Sequence, residues 1–184
     1  AEAVQGCDYV AHLASPFALA EPKDENKMIA PAVEGTTRVL KAALAAGVKR
    51  TVLTSSTVSM TTGKPSGRYG TEAWSDVSAD IGAYAKSKTL AEHAAWELVA
   101  GGAMELVAIN PGFILGPSLG APGDGQSETM VKDLIGGKFP MIPDIAMGMV
   151  DVRDVAALHV TALTASGAAG QRFIAASEEP ITMA

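Results

Sequence analysis

The chain has 184 residues and a formal charge of -6, from 20 acidic and 14 basic side chains. Hydrophobic residues make up 48% of it and charged residues 18%, which indicates a globular rather than a disordered protein. The absence of a basic stripe argues against nucleic acid or an anionic membrane as the main partner. The single cysteine, Cys7, excludes an internal disulfide, fits a cytoplasmic location and is expected to be a small buried hydrophobe.

Three apolar runs predict buried parallel strands, at 8–14, 50–56 and 104–110. Each run is short, rich in Val, Leu or Ile, and ends in small or polar residues. Apolar periodicity predicts helices over 24–47, 83–102, 126–136 and 151–167. Gly47 is a natural C-cap and Asp151 an N-cap, while Pro31 is expected to kink its helix or to mark its first turn.

This alternation predicts an α/β fold with a parallel sheet, right-handed crossovers and helices on both faces. Function in such a fold lies at the carboxyl ends of the strands. The predicted strands end in "HLASPF", "LTSST" and "INPGFILGP", which should therefore meet at one edge. The Gly/Pro-rich loop at 117–127 is expected to be a mobile lid on the substrate side.

A tyrosine and a lysine stand four positions apart in "YAKSKTLAEHAAWELV", as Tyr84 and Lys88. With three tyrosines and nine lysines in the chain, such a pair arises by chance in about one chain in seven, so the spacing alone is not specific. The second predicted strand brings Ser55 and Ser56 to the same edge of the sheet. Ser55 is interpreted as a strand-end residue, and Ser56 is the candidate to converge with the pair.

These residue types suit proton transfer to a carbonyl group. A free tyrosine has a pKa of about 10, and one ammonium group at about 4 Å in an effective dielectric of about 20 would lower it by about 3 units. Helical spacing places Tyr84 and Lys88 on one face, so Lys88 is expected to depress the pKa of Tyr84. A serine hydroxyl would position the carbonyl oxygen while Tyr84 donates its proton.

Six blocks, taken in order, resemble the extended short-chain dehydrogenase/reductases of the NAD-dependent epimerase/dehydratase superfamily. The blocks are "DYVAHLASPF", "PAVEGTTRVLKAA", "VKRTVLTSST", "YAKSKTLAEHAAWE", "INPGFILGP" and "VDVRDVAALHV". Within that family, the chain is similar to the dihydroflavonol-reductase-like branch, which includes aldehyde, ketone and cinnamoyl-CoA reductases. The resemblance implies a Rossmann-like doubly wound parallel sheet, represented here from its fourth strand onward, and NADPH as cofactor, with NADH as an alternative.

The resemblance also implies roles for individual residues. Tyr84 would be the general acid, Lys88 would lower its pKa and bind the nicotinamide ribose, and Ser56 would be the catalytic serine. Substrate would contact Ser56, Tyr84 and Thr61, and Thr61 stands near a position where plant flavonoid reductases carry Asn, which argues against assuming a flavonoid substrate. The remaining positions implied for the dinucleotide are Leu13, Ala14, Ser15, Pro111, Gly112, Phe113, Ile114 and Ser127.

One part of the family pattern is missing from this sequence. The family opens with a strand–GxxGxxG–helix unit that holds the pyrophosphate, followed by the residue that selects NAD or NADP. We therefore expect residues 1–116 to be the C-terminal half of a Rossmann dinucleotide-binding domain. Residues 117–184 would be a partial substrate-binding region interleaved with the last Rossmann elements. Either the natural protein is longer, or a partner covers the free edge of the first strand.

The favoured function is an NAD(P)H-dependent reductase of an aldehyde or ketone, acting on a small-molecule carbonyl substrate as a monomer or homodimer. Hydride would pass from the nicotinamide to the carbonyl carbon, and a proton from Tyr84 to its oxygen. Two alternatives stay open: an NAD-dependent sugar-nucleotide epimerase or dehydratase, and a truncated inactive or cofactor-sensing member of the fold. A metal site is not expected, because His12, His93 and His159 have no ligand spacing. Trp74 is interpreted as a packing residue, with substrate contact as the alternative.

Overall fold

The computed structural model describes residues 2–18, 20–119, 125–138, 141 and 146–182. A short 3-10 turn, Glu2–Val4, precedes the first strand. The helices are α1 (Asn26–Ala45), α2 (Val58–Thr61), α3 (Gly82–Val99), α4 (Gln126–Ile135) and α5 (Val152–Thr164). The strands are β1 (Tyr9–His12), β2 (Arg50–Thr54), β3 (Glu105–Pro111), β4 (Phe113–Leu115), β5 (Ala146–Met147), β6 (Met149–Asp151), β7 (Arg172–Ala175) and β8 (Ile181–Thr182).

The main sheet has the strand order β1-β2-β3-β7, and all of its pairs are parallel. Thr54 of β2 pairs with Ile109 of β3, so the strands end at nearly the same level. Two smaller pairs lie beside this sheet: β4 with β6, parallel, and β5 with β8, antiparallel. The predicted α/β fold with a parallel sheet is confirmed, and the carboxyl ends of the strands meet at one edge.

Helices cover both faces of the main sheet, as predicted, because neighbouring residues of each strand point to opposite faces. Leu53 of β2 faces α1 and α3, in a core that also contains Leu40 and Ala95. Val52 faces the other side and belongs to a second core, to which α5 contributes Val155. Each core fixes the register of the sheet, since a slip of one residue would exchange the two faces.

The helical boundaries agree closely with the sequence pattern. Gly47, with φ of 72°, follows α1 as the expected helix end, and its amide donates to the Leu44 carbonyl at 3.1 Å. Asp151 caps α5 by accepting a hydrogen bond from the Arg153 amide at 2.8 Å. Pro31 lies inside α1, beyond its first turn. Strand β7 was not predicted, because its four residues begin with a charged side chain and show no clear alternation.

One prediction is wrong, and another falls partly on residues that the structure does not describe. Cys7 is exposed in the turn before β1, so its assignment as a small buried hydrophobe is wrong. Of the predicted lid at 117–127, residues 120–124 lie outside the described residues. The division of the chain at residue 116 stays a prediction. Among the helices that the structure describes, none has the length and apolar character that crossing a membrane requires.

Leu40 should carry a large share of the stability of the first core, because its side chain is fully buried. We expect Leu40→Ala to lower the free energy of unfolding by about 2 to 5 kcal/mol. Leu119→Ala removes the same atoms from a fully exposed side chain and should change it by less than about 0.5 kcal/mol. Urea unfolding of both variants checks the pair, and equal losses would contradict the assigned core.

Candidate active site

Tyr84 lies in the first turn of α3, and several contacts fix the start of this helix. Gly82 makes the turn into α3 with φ of 77°, a conformation that L side chains rarely adopt. The Glu21 carboxylate accepts a hydrogen bond from the Ala83 amide at 3.1 Å, near the positive end of the helix dipole. The Phe17 ring meets the Tyr84 ring edge-on, with centroids 4.7 Å apart. The phenol is therefore held from the β1–α1 segment as well as from its own helix.

Ser56 is buried just beyond the end of β2, and its side chain lies close enough to that of Tyr84 to influence the pKa of the phenol. The sheet edge thus brings together two of the predicted residues. Burial raises the pKa of Tyr84, and the neighbouring Ser56 hydroxyl opposes this rise only in part. The expectation of a net lowering of this pKa beside Lys88 is wrong, because desolvation of the charged phenolate dominates and the pKa is raised.

Lys88 lies one turn after Tyr84 on α3, and only 7% of its surface is exposed. Within the described residues, its Nζ atom donates one hydrogen bond, to the Thr54 carbonyl at 3.3 Å. Burial lowers the pKa of Lys88 to about 8, and the negative charge of Glu92 opposes this change. A charged amine with a single protein acceptor is suited to binding a further polar ligand, since an ammonium group has three donors.

The donor set at this edge fits the ribose of a nicotinamide dinucleotide. Lys88 Nζ can donate to ribose hydroxyls, and the Tyr84 hydroxyl can both donate and accept. A cavity of about 10 Å³ beside Lys88, enough for about one water molecule, is lined in part by Ala14 and Ser15. The segment after β1 therefore adjoins the lysine, and Leu13 lies just before these two residues with 58% of its surface exposed. The contact of all three residues with the dinucleotide stays a prediction.

The segment after β3 forms the junction between the main sheet and β4. The Pro111 carbonyl accepts a hydrogen bond from the loop after β2 at 2.9 Å. An added Cβ at Gly112 would lie 2.1 Å from the Gly148 carbonyl oxygen, so only glycine fits this close approach. The Phe113 amide donates to the same carbonyl at 2.8 Å, and Ile114 packs against the second core. These contacts give Gly112 and Ile114 a structural role, beside the predicted contact with the nicotinamide.

Two further predicted residues stand apart from this group. Thr61 is exposed at the end of α2, where its hydroxyl donates to the Thr57 carbonyl at 3.3 Å. Ser127 lies in the first turn of α4. In the part of the chain that the structure describes, no hydrogen bond joins Ser127 to Tyr84 or Lys88. Their assigned contacts with substrate and cofactor stay predictions.

The three histidines have separate surroundings. His12 Nε2 lies 3.2 Å from a threonine hydroxyl of α1, and burial, followed by the charge of Lys88, lowers its pKa. His159 Nε2 lies 2.6 Å from Thr54 Oγ1, and His93 stacks on the Trp74 ring. Among residues 2–18, 20–119, 125–138, 141 and 146–182, no group of three His, Cys, Asp or Glu side chains could hold a metal ion.

Comparison with known proteins identifies the family. The profile of the NAD dependent epimerase/dehydratase family matches residues 1–176. The chain belongs to this family. The predicted superfamily is thereby confirmed from a match over nearly the whole chain.

The relatives of this family member include several reductases. Cinnamoyl-CoA reductase 1 of Arabidopsis thaliana is 36% identical over 181 residues, which cover 95% of this chain and 51% of the relative. Cinnamoyl-CoA reductase CAD2 of Medicago truncatula is 38% identical over 180 residues, covering 93% and 54%. A crystal structure of yeast methylglyoxal/isovaleraldehyde reductase complexed with NADPH superposes with a TM-score of 0.84 at 28% identity, covering 99% of this chain and 59% of that chain. The chain spans about half the length of the curated relatives it matches, and the predicted branch and Rossmann-like fold are confirmed.

Sequence reasoning missed two buried charges of this family member, Glu92 and Arg172, which form an ion pair with N···O of 2.6 Å. Glu92 follows Lys88 by one helical turn, so the spacing on α3 offered a usable signal. Arg172 offered none, because it lies 80 residues from its partner on a strand that the pattern did not predict.

The depressed pKa of Lys88 should make stability rise with pH. Between about 8 and the ordinary lysine value of 10.5, the unfolded chain binds more protons at this position than the folded chain. The free energy of unfolding should therefore increase in this window, by at most about 1.4 kcal/mol per pH unit. Urea unfolding of wild type and Lys88→Met measures the difference, since the variant lacks the titrating amine. Equal pH slopes in both proteins would contradict a buried, depressed lysine.

Proposed function

We propose that the protein is an NADPH-dependent reductase of an aldehyde or ketone. The observation that carries this proposal is the proximity of the Ser56 and Tyr84 side chains, with the buried Lys88 one turn further on the helix that carries Tyr84. These three residues come from two elements and meet at the carboxyl edge of a parallel sheet, which is where ligands bind in open α/β folds. The set supplies a proton donor, a hydroxyl that orients a carbonyl oxygen, and a nearby positive charge.

In the proposed reaction, Tyr84 donates its hydroxyl proton to the carbonyl oxygen of the substrate. Ser56 donates a hydrogen bond to the same oxygen and so holds it in line with the phenol. Negative charge then develops on the Tyr84 oxygen, and the Lys88 ammonium lowers the free energy of that state. The carbonyl carbon gains a hydride and the oxygen a proton, so the product is an alcohol.

The dinucleotide would be held by residues at the same edge. Lys88 and Tyr84 would bind the nicotinamide ribose, and the segments Leu13–Ser15 and Pro111–Ile114 would line the rest, with Ser127 as a further contact. A bound NADPH would supply the hydride. Lys88 has the spare donors that this role needs.

The named relatives support the proposed reductase activity. Two are cinnamoyl-CoA reductases, and a solved structure with the same fold is an aldehyde reductase complexed with NADPH. NADPH is therefore preferred to NADH for this protein, and a small-molecule carbonyl compound is the proposed substrate. We also propose a cytoplasmic location, which a single cysteine fits, and a monomer or homodimer.

Tyr84→Phe should abolish most of the activity because it removes the proton donor and keeps the ring. We expect kcat to fall by about 10²- to 10⁴-fold in reduction of a panel of aldehydes and ketones. The assay follows NADPH consumption by its absorbance, in the protein of full natural length. Tyr9→Phe is the matched control, since Tyr9 begins β1 at the opposite edge of the sheet, and it should retain wild-type activity.

Net consumption of NADPH is the decisive readout. An epimerase or dehydratase returns its bound cofactor to the starting state and would consume none. Turnover that survives in Tyr84→Phe would contradict the assigned acid, and a wild-type protein that binds NADPH without turnover on the panel would contradict the proposed reductase.

Ser56→Ala should separate chemistry from cofactor binding. The variant loses the hydrogen bond to the carbonyl oxygen, so we expect kcat to fall by about 10²- to 10³-fold. The dissociation constant for NADPH, measured by fluorescence titration, should stay within about twofold, because Lys88 and Tyr84 remain. Ser66→Ala, at an exposed loop position, serves as the control. Loss of NADPH binding in Ser56→Ala would assign this serine to the cofactor instead.

A further inference from the structure

Glu92 lies on the buried side of α3, one turn beyond Lys88, and only 1% of its surface is exposed. The side chains whose donor atoms lie within hydrogen-bond distance of its carboxylate come from β3, β7, α2, α3 and the loop after β2: Asn110, Arg172, Ser59, Trp96 and Ser55. Burial alone would raise the pKa of Glu92, but the hydrogen bonds from Arg172 and Ser55 hold it below its usual value. Glu92 is therefore a carboxylate at neutral pH, satisfied on both oxygens.

Arg172 connects this carboxylate to a second segment. Its Nε atom lies 2.6 Å from one Glu92 oxygen and its Nη2 atom 3.2 Å from the other. Its Nη1 atom donates to the backbone carbonyls of Thr71 and Ala73, at 2.8 and 2.6 Å. The guanidinium also stacks 3.8 Å above the centre of the Trp74 ring. One side chain thus ties the loop that precedes α3 to the middle of that helix.

Two side chains connect Glu92 to the backbone of Ser56. Ser59 Oγ lies 2.8 Å from a carboxylate oxygen of Glu92 and also 2.8 Å from the Ser56 carbonyl oxygen. Asn110 Nδ2 lies 3.0 Å from the same carboxylate oxygen and 3.2 Å from the same carbonyl. Arg172 Nη2 lies 3.3 Å from Ser59 Oγ. The carbonyl of Ser56 is therefore one side chain away from the ion pair, in which the Glu92 carboxylate is fully buried and the Arg172 side chain is 8% exposed.

A buried ion pair is a poor means of stabilising a fold, since apolar side chains of similar volume often do as well. It does fix positions, because the guanidinium fork is planar and each of its donors has a set direction. We infer that Glu92 and Arg172 are positioning residues, which hold the backbone of Ser56 and the segment 71–75 against the helix that carries Tyr84. This inference rests on the proposed function, in which Ser56 orients the substrate oxygen.

Two variants test the inference in the protein of full natural length. Arg172→Lys keeps the positive charge beside Glu92 but loses the fork, because one ammonium group cannot also reach the carbonyls of the loop. Ser59→Ala removes one hydroxyl, leaves the ion pair intact and is informative even where Arg172→Lys folds poorly. The matched control is Trp96→Phe, which removes a donor to the same carboxylate, at 3.2 Å, on a branch that does not reach Ser56.

We expect kcat to fall by about tenfold or more in Arg172→Lys and Ser59→Ala, because small displacements of an orienting group have large effects on rate. The KM for NADPH should stay within about twofold in both, since the residues proposed to bind the ribose are untouched. Trp96→Phe should keep its kcat within about twofold of wild type.

Hydrogen–deuterium exchange supplies a readout that does not need activity. Deuterium uptake in Arg172→Lys should rise in peptides covering 55–62 and 71–76, and stay unchanged in β1 and α5. If the wild type shows no turnover, the proposed reductase fails while this local pattern still tests the positioning role. Unchanged kcat in both variants of an active enzyme, or uptake that rises uniformly along the chain, would overturn the inference.

Discussion

The parallel register of β1, β2 and β3 is the constraint on which the rest of the site depends. Thr54 pairs with Ile109, so the ends of neighbouring strands lie at one level. Residues just beyond those ends meet although a long segment of chain separates them, as Ser56 meets Tyr84. Two cores on opposite faces hold this register, because a slip of one residue would place apolar side chains of β2 on the wrong side. The geometry of the candidate site is therefore set by packing some distance from it.

Helix α3 is unusual in the polarity of its buried face. Most helices pack an apolar stripe against the sheet, but α3 buries Ser87, Lys88, Thr89 and Glu92. Burying polar groups is costly unless they are hydrogen-bonded, and both oxygens of the Glu92 carboxylate have donors, which come from β3, β7, α2, α3 and the loop after β2. Contacts of this kind have direction, whereas apolar contacts do not. The helix that carries the proposed acid is consequently located by specific bonds.

Local patterns explain what the sequence could predict. Helices α1 and α5 follow from apolar periodicity with a glycine or an aspartate at one end, and such signals need no distant partner. Strand β7 escaped prediction because it starts with Arg172, whose charge is matched only by a residue far along the chain. Cys7 escaped for a similar reason: its type favours burial, but the turn before β1 leaves it exposed. Convergence of Ser56 with Tyr84 was predictable because parallel strands share one functional edge.

Burial has a larger effect on the pKa of Tyr84 than the neighbouring positive charge. Spacing on a helix gives the attraction of Lys88 for a phenolate, but only the fold gives the cost of burying that charge, and burial prevails. A raised pKa keeps the phenol protonated at neutral pH, which is the state that a proton donor in carbonyl reduction needs. Burial also lowers the pKa of Lys88 to about 8, and the charge of Glu92 opposes that change. Lys88 thus stays mostly protonated at neutral pH, so the same carboxylate contributes both to the positions of the site residues and to the charge beside the reacting oxygen.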